Sequence, residues 1–370
     1  MELLLRVGAD VNVRSYLNST PLHDAIASGN LAITRLLLNY GADTNSSDKE
    51  GVPPSLRARR FRKLDVVELL LSGGADVNFR TYNSTPLHEA IESGNLHIAR
   101  LLLDHGVDVN ARDKKGACPL HKASRSKRIE VVQLLLACNA DVNSEDNYNK
   151  TSLHEAIERG NFDVAQLLPS YGADLNAPDH EGVPPLHKAS RSRKSDVVEL
   201  LLNNGADVNS RGNYNSTPLH EAAESGSLDI ARLLLSRGAD VDVLDDWGES
   251  PFYKASRLWN LDVALLLLTC GADVNTWNNY NRTLLHEASS SGKLYKASQS
   301  WQFDVALLLL KSGADVNTRN KYNKTPLHEA SAIGNINISR LLLNAGADVS
   351  ARDNQSGSCE QNSVSGARER

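Results

Sequence analysis

Histidine is the residue type here with the most chemical promise, because imidazole titrates near neutral pH and ligates metals. Eight of the eleven histidines (His23, His88, His121, His154, His187, His220, His286 and His328) occupy one recurring slot, most often inside Thr-Pro-Leu-His. His-Glu follows at His88, His154, His220, His286 and His328, which is half of the His-Glu-x-x-His zinc motif. The second His is missing every time, so the metal reading fails. A catalytic histidine is not needed eight times in register, and a structural role between neighbouring segments accounts for the pattern better. Cys118, Cys138, Cys270 and Cys359 form no CxxC pair and no zinc spacing, and are read as reduced thiols. Phosphate-binding, dinucleotide, nucleophile-elbow and kinase signatures are absent as well. The sequence therefore predicts no catalytic residue, no metal and no cofactor.

What positions the histidines is a repeat. Gly-Ala-Asp-Val-Asn, or a close variant, begins at Gly8, Gly41, Gly74, Gly106, Asn139, Gly172, Gly205, Gly238, Gly271, Gly313 and Gly346. Successive gaps are 33, 33, 32, 33, 33, 33, 33, 33, 42 and 33 residues. A unit of this length cannot bury an apolar face alone, so the units must stack into a solenoid. Within Thr85–Asn110, Thr85 suits a helix N-cap and Pro86 the first helical position. Gly94 ends that short helix, and Leu96, Ile98, Ala99, Leu101, Leu102 and Leu103 give a second helix with a wide apolar stripe. Gly106 closes it and a polar loop follows.

On these two strings and this period the chain resembles the ankyrin repeat family over residues 1 to about 353. The resemblance implies an all-α repeat solenoid of stacked ankyrin repeats, each a β-hairpin finger plus two antiparallel helices. It also implies binding of other proteins through fingers and first helices, without catalysis. Ten units at about 10 Å each would extend on the order of 100 Å.

A finer pattern doubles the period to 66 residues, because two types of unit alternate. One reads Tyr-Asn-x-Thr-Pro-Leu-His-Glu-Ala and the other Gly-x-x-Pro-Leu-His-Lys-Ala-Ser-Arg-Ser. The residue after the His slot thus alternates in sign through Glu89, Lys122, Glu155, Lys188 and Glu221. Three residues on, Glu92, Arg125, Glu158, Arg191, Glu224 and Arg257 alternate too. Residues three apart share a helix face, so the expectation is a solvated surface with two parallel ladders. Glu155 would then pair sideways with Lys122 and Lys188, at about 0.2–1 kcal/mol per exposed pair. The alternative is a charge pattern that meets a partner, or a second copy, in a fixed register.

At the fingertips, Asn18, Asn83, Asn149, Asn215, Asn281 and Asn323 stand where other fingers have Gly, a substitution that left-handed backbone tolerates. Just before them come Tyr82, Tyr148, Tyr214, Tyr280 and Tyr322, with Trp247 at the same site in another finger. Aromatic residues on loop tips are candidate binding anchors, and packing onto their own finger is the plainer alternative. Tyrosines on every second finger would lie about 20 Å apart, too far to stack on one another. Second-type units place Arg62, Lys127, Arg193, Trp259 or Trp301 where the first helix normally ends in Gly, which predicts strained turns or longer helices.

Composition bounds the rest. A net charge of −5 with 23% charged residues argues against a nucleic-acid binder. The apolar runs, such as 263–268, fall far short of a membrane span, and Met1–Val7 does not resemble a signal peptide. A cytoplasmic protein is expected, with the nucleus as the other compartment. The array should cover residues 1–353, with a partial first unit at 1–12 and a polar, disordered tail at 354–370. Pro169 should shorten its helix. Within 283–317 two units are fused with loss of 24 residues (66 minus 42), so only one of His286 and Tyr295 fills the normal slot. Weak stacking and fast hydrogen exchange are expected there, at Ser289–Lys293. The sequence reads as a non-catalytic binding module or scaffold for other proteins. A self-associating scaffold and the recruiting arm of a larger enzyme are the alternatives.

Overall fold

A computed structural model describes residues 1–60, 64–79, 84–290 and 296–354. The chain divides into two compact units, Met1–His180 and Glu181–Arg370. In the first, the lone helix Glu2–Arg6 precedes five helix pairs, from Pro21–Ser28 with Leu31–Asn39 to Ser152–Arg159 with Phe162–Leu167. In the second, five pairs run from Pro185–Arg191 with Ser195–Asn203 to Pro326–Ile333 with Ile336–Asn344. Within each unit every first helix packs on its own second helix and on the first helix of the next pair. The slot leucines Leu22, Leu87, Leu120, Leu153, Leu186 and Leu219 are fully buried there. In the worked repeat, the helices are Pro86–Glu92 and Leu96–Asp104, with Gly94 left-handed between them (φ 70°). Ile98, Ala99 and Leu102 are buried, whereas Leu96, Leu101 and Leu103 are half-buried.

The histidine slot is the joint between repeats. In Thr-Pro-Leu-His, Nδ1 accepts from the Thr backbone N–H and faces the Thr hydroxyl at 2.8–3.0 Å. That leaves the proton on Nε2, which donates to a carbonyl of the next repeat at 2.7–3.1 Å. The acceptors are Val52, Ala117, Lys150, Ser216, Glu249 and Lys324 for His23, His88, His121, His187, His220 and His286. In His23, His220 and His286 both ring nitrogens are thus engaged, which leaves no lone pair for a metal. Departures follow the local sequence. Pro184 replaces Thr and offers neither N–H nor hydroxyl, so Nδ1 of His187 is buried without a partner. Cys118 replaces Thr and its Sγ lies 3.0 Å from Nδ1 of His121. Tyr253 fills the His position, buried, and its hydroxyl accepts from Asn278 Nδ2 at 3.0 Å. Nε2 of His328, in the last repeat, has no partner among the described residues although the residue is only 1% exposed.

The loop string has an equally specific reason. Its Asp accepts from the backbone N–H two residues on, as Asp76 does from Asn78 and Asp141 from Asn143. The Asn then accepts from the Asp N–H of the next repeat, as in Asn45 to Asp76 and Asn110 to Asp141. One polar ladder thereby runs beside the histidine ladder. Among the described residues the finger tips are tight turns. An isolated antiparallel β-bridge joins Trp277 and Thr283 across one finger. The tip asparagines Asn18, Asn149, Asn215, Asn281 and Asn323 are left-handed, with φ of 51–61°.

The irregularities resolve individually. Phe162–Leu167 ends early and Leu168–Tyr171 forms a 3-10 turn around Pro169. Arg193 and Trp259 do take positive φ (57° and 69°), whereas the turn after Arg125 is made by Ser126 in extended conformation. No turn occurs at Trp301, because Lys296–Lys311 is one continuous helix. In the fused unit, Leu284–Ser290 serves as first helix and His286 fills the slot, reaching 38 residues ahead to Lys324. Arg62, Tyr295, most of Ser289–Lys293 and, Asn354 apart, the tail at 354–370 lie outside the described residues.

Burial lowers the pKa of His23, His88 and His187, and pushes His220 and His286 down to about 4 from the ordinary 6.5. His121 runs the other way, raised by its Cys118 partner against the effect of burial. A histidine depressed on folding stabilises fully above its unfolded value and loses that contribution as pH falls through its folded one. For His220 and His286 the loss is on the order of 3 kcal/mol each between about pH 6.5 and 4. We therefore expect the melting temperature to drop through this window. Changing both to Gln should lower it at neutral pH and flatten its acid limb, as read by circular dichroism. An acid limb of unchanged slope would assign the loss to other groups.

Candidate interaction surface

The surface implied by the repeat is built from fingers and first helices, and a carboxylate ties the two together. In each of several fingers one Asp oxygen caps the turn, as Oδ1 of Asp113 accepts from Lys115 and Ala117 N–H at 2.8 and 3.0 Å. Asp245 does the same for Trp247 and Glu249 at 2.9 Å. The other oxygen meets the cation that follows the His slot: Asp113 with Lys122 at 3.2 Å and Asp245 with Lys254 at 3.0 Å. Asp48 pairs likewise with Arg57. Burial pushes the Asp113 carboxyl up, but the finger N–H groups and Lys122 hold it below the ordinary carboxylate range.

The charge rows differ from the expected pair of parallel, solvated ladders. The row after the His slot is largely inside: Glu155 is 3% exposed, Glu221 and Lys254 are buried too, and Glu89, Lys122 and Lys188 are half-buried. Pairing is diagonal, over 30 residues and not 33. Arg125 makes a two-pronged contact with Glu155 at 2.6 Å, and Arg191 meets Glu221 at 2.8 Å. Lys122 reaches back to Glu92 at 2.6 Å, and Lys254 back to Glu224 at 3.8 Å. A cation of one first helix therefore grips the helix before it and another grips the helix after it. Burial raises the Glu221 carboxyl, yet Arg191 and the Ser216 hydroxyl bring it below its ordinary value. In the fused region alternation fails, so Glu287 and Glu329 become neighbours. Arg282 lies between them, 2.9 Å from one and 3.8 Å from the other.

The fingertip rings stay at the surface. Tyr148, Tyr214, Tyr280, Tyr322 and Trp247 are 45–56% exposed, while Tyr82 lies outside the described residues. Tyr148, Tyr214 and Tyr280 each meet the next finger, whereas Tyr322 meets Lys321 of its own. Tyr148 packs edge-on against His180 with centroids 5.4 Å apart, and Tyr214 against Trp247 at 4.6 Å. The Lys321 ammonium sits 4.4 Å from the Tyr280 ring and 4.9 Å from the Tyr322 ring. His180 and Lys321 escaped the sequence reading because they stand one residue before the tip. The backbone explains their place: His180 N–H donates to the Tyr148 carbonyl and Lys321 N–H to that of Tyr280.

Removing one partner of a buried pair costs about 3–5 kcal/mol, because the other charge is left without compensation. Glu155→Lys should therefore destabilise by roughly that amount, and added salt should change it little. Glu92→Lys, on a side chain half exposed to water, should cost about 1 kcal/mol or less and lose most of that in high salt. Denaturant midpoints at low and high ionic strength separate the two; equal, salt-sensitive losses would refute the burial argument.

Among the described residues no group of His, Cys, Asp and Glu is arranged to hold a metal ion, and no helix is long and apolar enough to cross a membrane. The sequence model of the family described as ankyrin repeats (3 copies) matches residues 1–81, 56–146, 113–179, 153–245, 219–320 and 293–353. Helix pairs at this period, tied by a histidine that caps its own helix and bonds the next repeat, agree with those matches along both compact units. The chain belongs to the ankyrin repeat family.

Proposed function

We propose that the chain is a non-catalytic scaffold that binds other proteins through its aromatic fingertips. Proteins of this family are generally protein-interaction modules. The observation that carries the proposal is the set of half-exposed rings held on backbone-bonded tips. Rings of this kind present large apolar area at little entropic cost, which is what interface anchors need. The charged row contributes less. Lys122, Glu155 and Glu221 are engaged in pairs within the array, so they brace the surface more than they offer charge to a partner. For the same reason the alternating signs give little motive for a self-complementary face. Free thiols at Cys118, Cys138 and Cys270 fit a reducing compartment, the cytosol or nucleus.

Tyr148→Ala combined with Tyr214→Asn tests the reading. Asn is chosen at the second site because Tyr214 is itself left-handed (φ 54°), a conformation Asn tolerates. The melting temperature should stay within about 2 °C of the parent, since surface changes are usually within about 0.5 kcal/mol. Affinity for a partner captured by the intact array should fall about 30-fold, equivalent to about 2 kcal/mol at an interface ring. Normal binding together with easier unfolding would make the rings finger packing and move the interface elsewhere.

A further inference from the structure

The second compact unit carries four consecutive fingers with aromatic tips, because the fused region brings two tyrosine fingers side by side. They are Tyr214, Trp247, Tyr280 and Tyr322, joined tip to tip by backbone hydrogen bonds from Asp246 to Tyr214, Asn279 to Trp247 and Lys321 to Tyr280. The rings gather into two platforms. Tyr214 and Trp247 form one, their centroids 4.6 Å apart. Tyr280 and Tyr322 form the other, with the Lys321 ammonium within 5 Å of both ring centroids. The platforms differ in charge. Lys254, beneath Trp247 at 5.1 Å, is buried and neutralised by Asp245. Lys321 is exposed and has no carboxylate partner among the described residues.

Spacing points to the occupant. Successive helical repeats advance by about 10 Å. A polyproline II chain has three residues per turn at about 3.1 Å each, so every third residue recurs at about 9 Å on one face. Its pitch nearly matches the finger spacing, and the two platforms, two steps apart, fall about six residues along it. Aromatic grooves are a general means of holding such chains, which arrive already extended and lose little entropy. Occupied cation–π positions at Trp247, Tyr280 and Tyr322 disfavour a basic ligand, whereas Lys321 attracts a carboxylate.

On this basis, and resting on the binding role argued above, we propose that the ridge formed by Tyr214, Trp247, Tyr280, Lys321 and Tyr322 binds an extended segment with proline at every third position and an acidic residue at the Lys321 end. The test uses the full chain and a fluorescent peptide of about twelve residues with that proline spacing and one terminal glutamate, read by anisotropy. Two control peptides carry the prolines grouped together or lysine in place of the glutamate. The spaced acidic peptide should bind at least tenfold more tightly than either control. Tyr214→Asn with Trp247→Ala, and separately Tyr280→Ala with Tyr322→Ala, should each weaken it about tenfold or more while the melting curve is kept. Lys321→Glu, at an exposed side chain, should reverse the preference between glutamate and lysine even if a ring variant fails to fold. Equal binding of spaced and grouped peptides, or no reversal at Lys321, overturns the proposal. If that happens while the ring variants still lose a captured protein partner, the scaffold reading stands and only this ligand class falls.

Discussion

Everything in this array depends on one shared imidazole proton. A short helix of seven or eight residues is too brief to be stable alone. It is braced here by the histidine in its first turn, whose Nδ1 accepts from the N-cap N–H and whose Nε2–H donates to a carbonyl of the neighbouring repeat. The same ring thus starts a helix and joins two repeats, so folding of a repeat and stacking of its neighbour are a single event. Where the N-cap N–H donates to Nδ1 and Nε2 donates to the next repeat, neutral histidine is the state that satisfies both bonds. The slot also holds Tyr253, which keeps a polar tip, and Leu56, which stands in place of the His of the second repeat and needs no partner.

Charge then acts inside this framework, and its burial shapes what remains outside. The finger Asp of the second-type units uses one oxygen for its turn and the other for a helix cation, so finger and helix are tied together. The diagonal Arg–Glu contacts tie one first helix to the next. Ion pairs that are desolvated and satisfied contribute specificity of arrangement more than net stability. With the ionic side chains turned inward, the outward signature of the fingertips becomes aromatic.

The fold was legible because its cause is periodic. Recurrence of Thr-Pro-Leu-His and Gly-Ala-Asp-Val-Asn states where each helix starts, which ring joins the repeats and which loop caps them. The pairing of Glu155 was not legible, for a physical reason. Lys122 stands 33 residues before it and Arg125 stands 30 before, and both are cations. A sign pattern that alternates in both rows is satisfied equally by lateral and diagonal contacts, so it cannot choose between them. Burial of that row was hidden for a related reason, since a charged residue reads as solvent-facing until its partner is located. The tyrosines were found as a set, but comparing tip with tip missed His180 and Lys321. Finger-to-finger hydrogen bonds offset the contact by one residue, and only the backbone geometry reveals that offset.

Arg282 marks where the two-type alternation loses step. In the vocabulary of crystals, the second unit is a lattice with a two-finger basis, and the fused repeat is an antiphase boundary within it. Like charges meet at such a boundary, and a single guanidinium shared by Glu287 and Glu329 reconciles them. A flawless lattice would look the same after every translation by one basis, so a repetitive ligand could occupy several equivalent positions. The boundary abolishes that translational symmetry. A ligand lying along these fingers, as proposed above, would thereby be given an origin from which its position is counted.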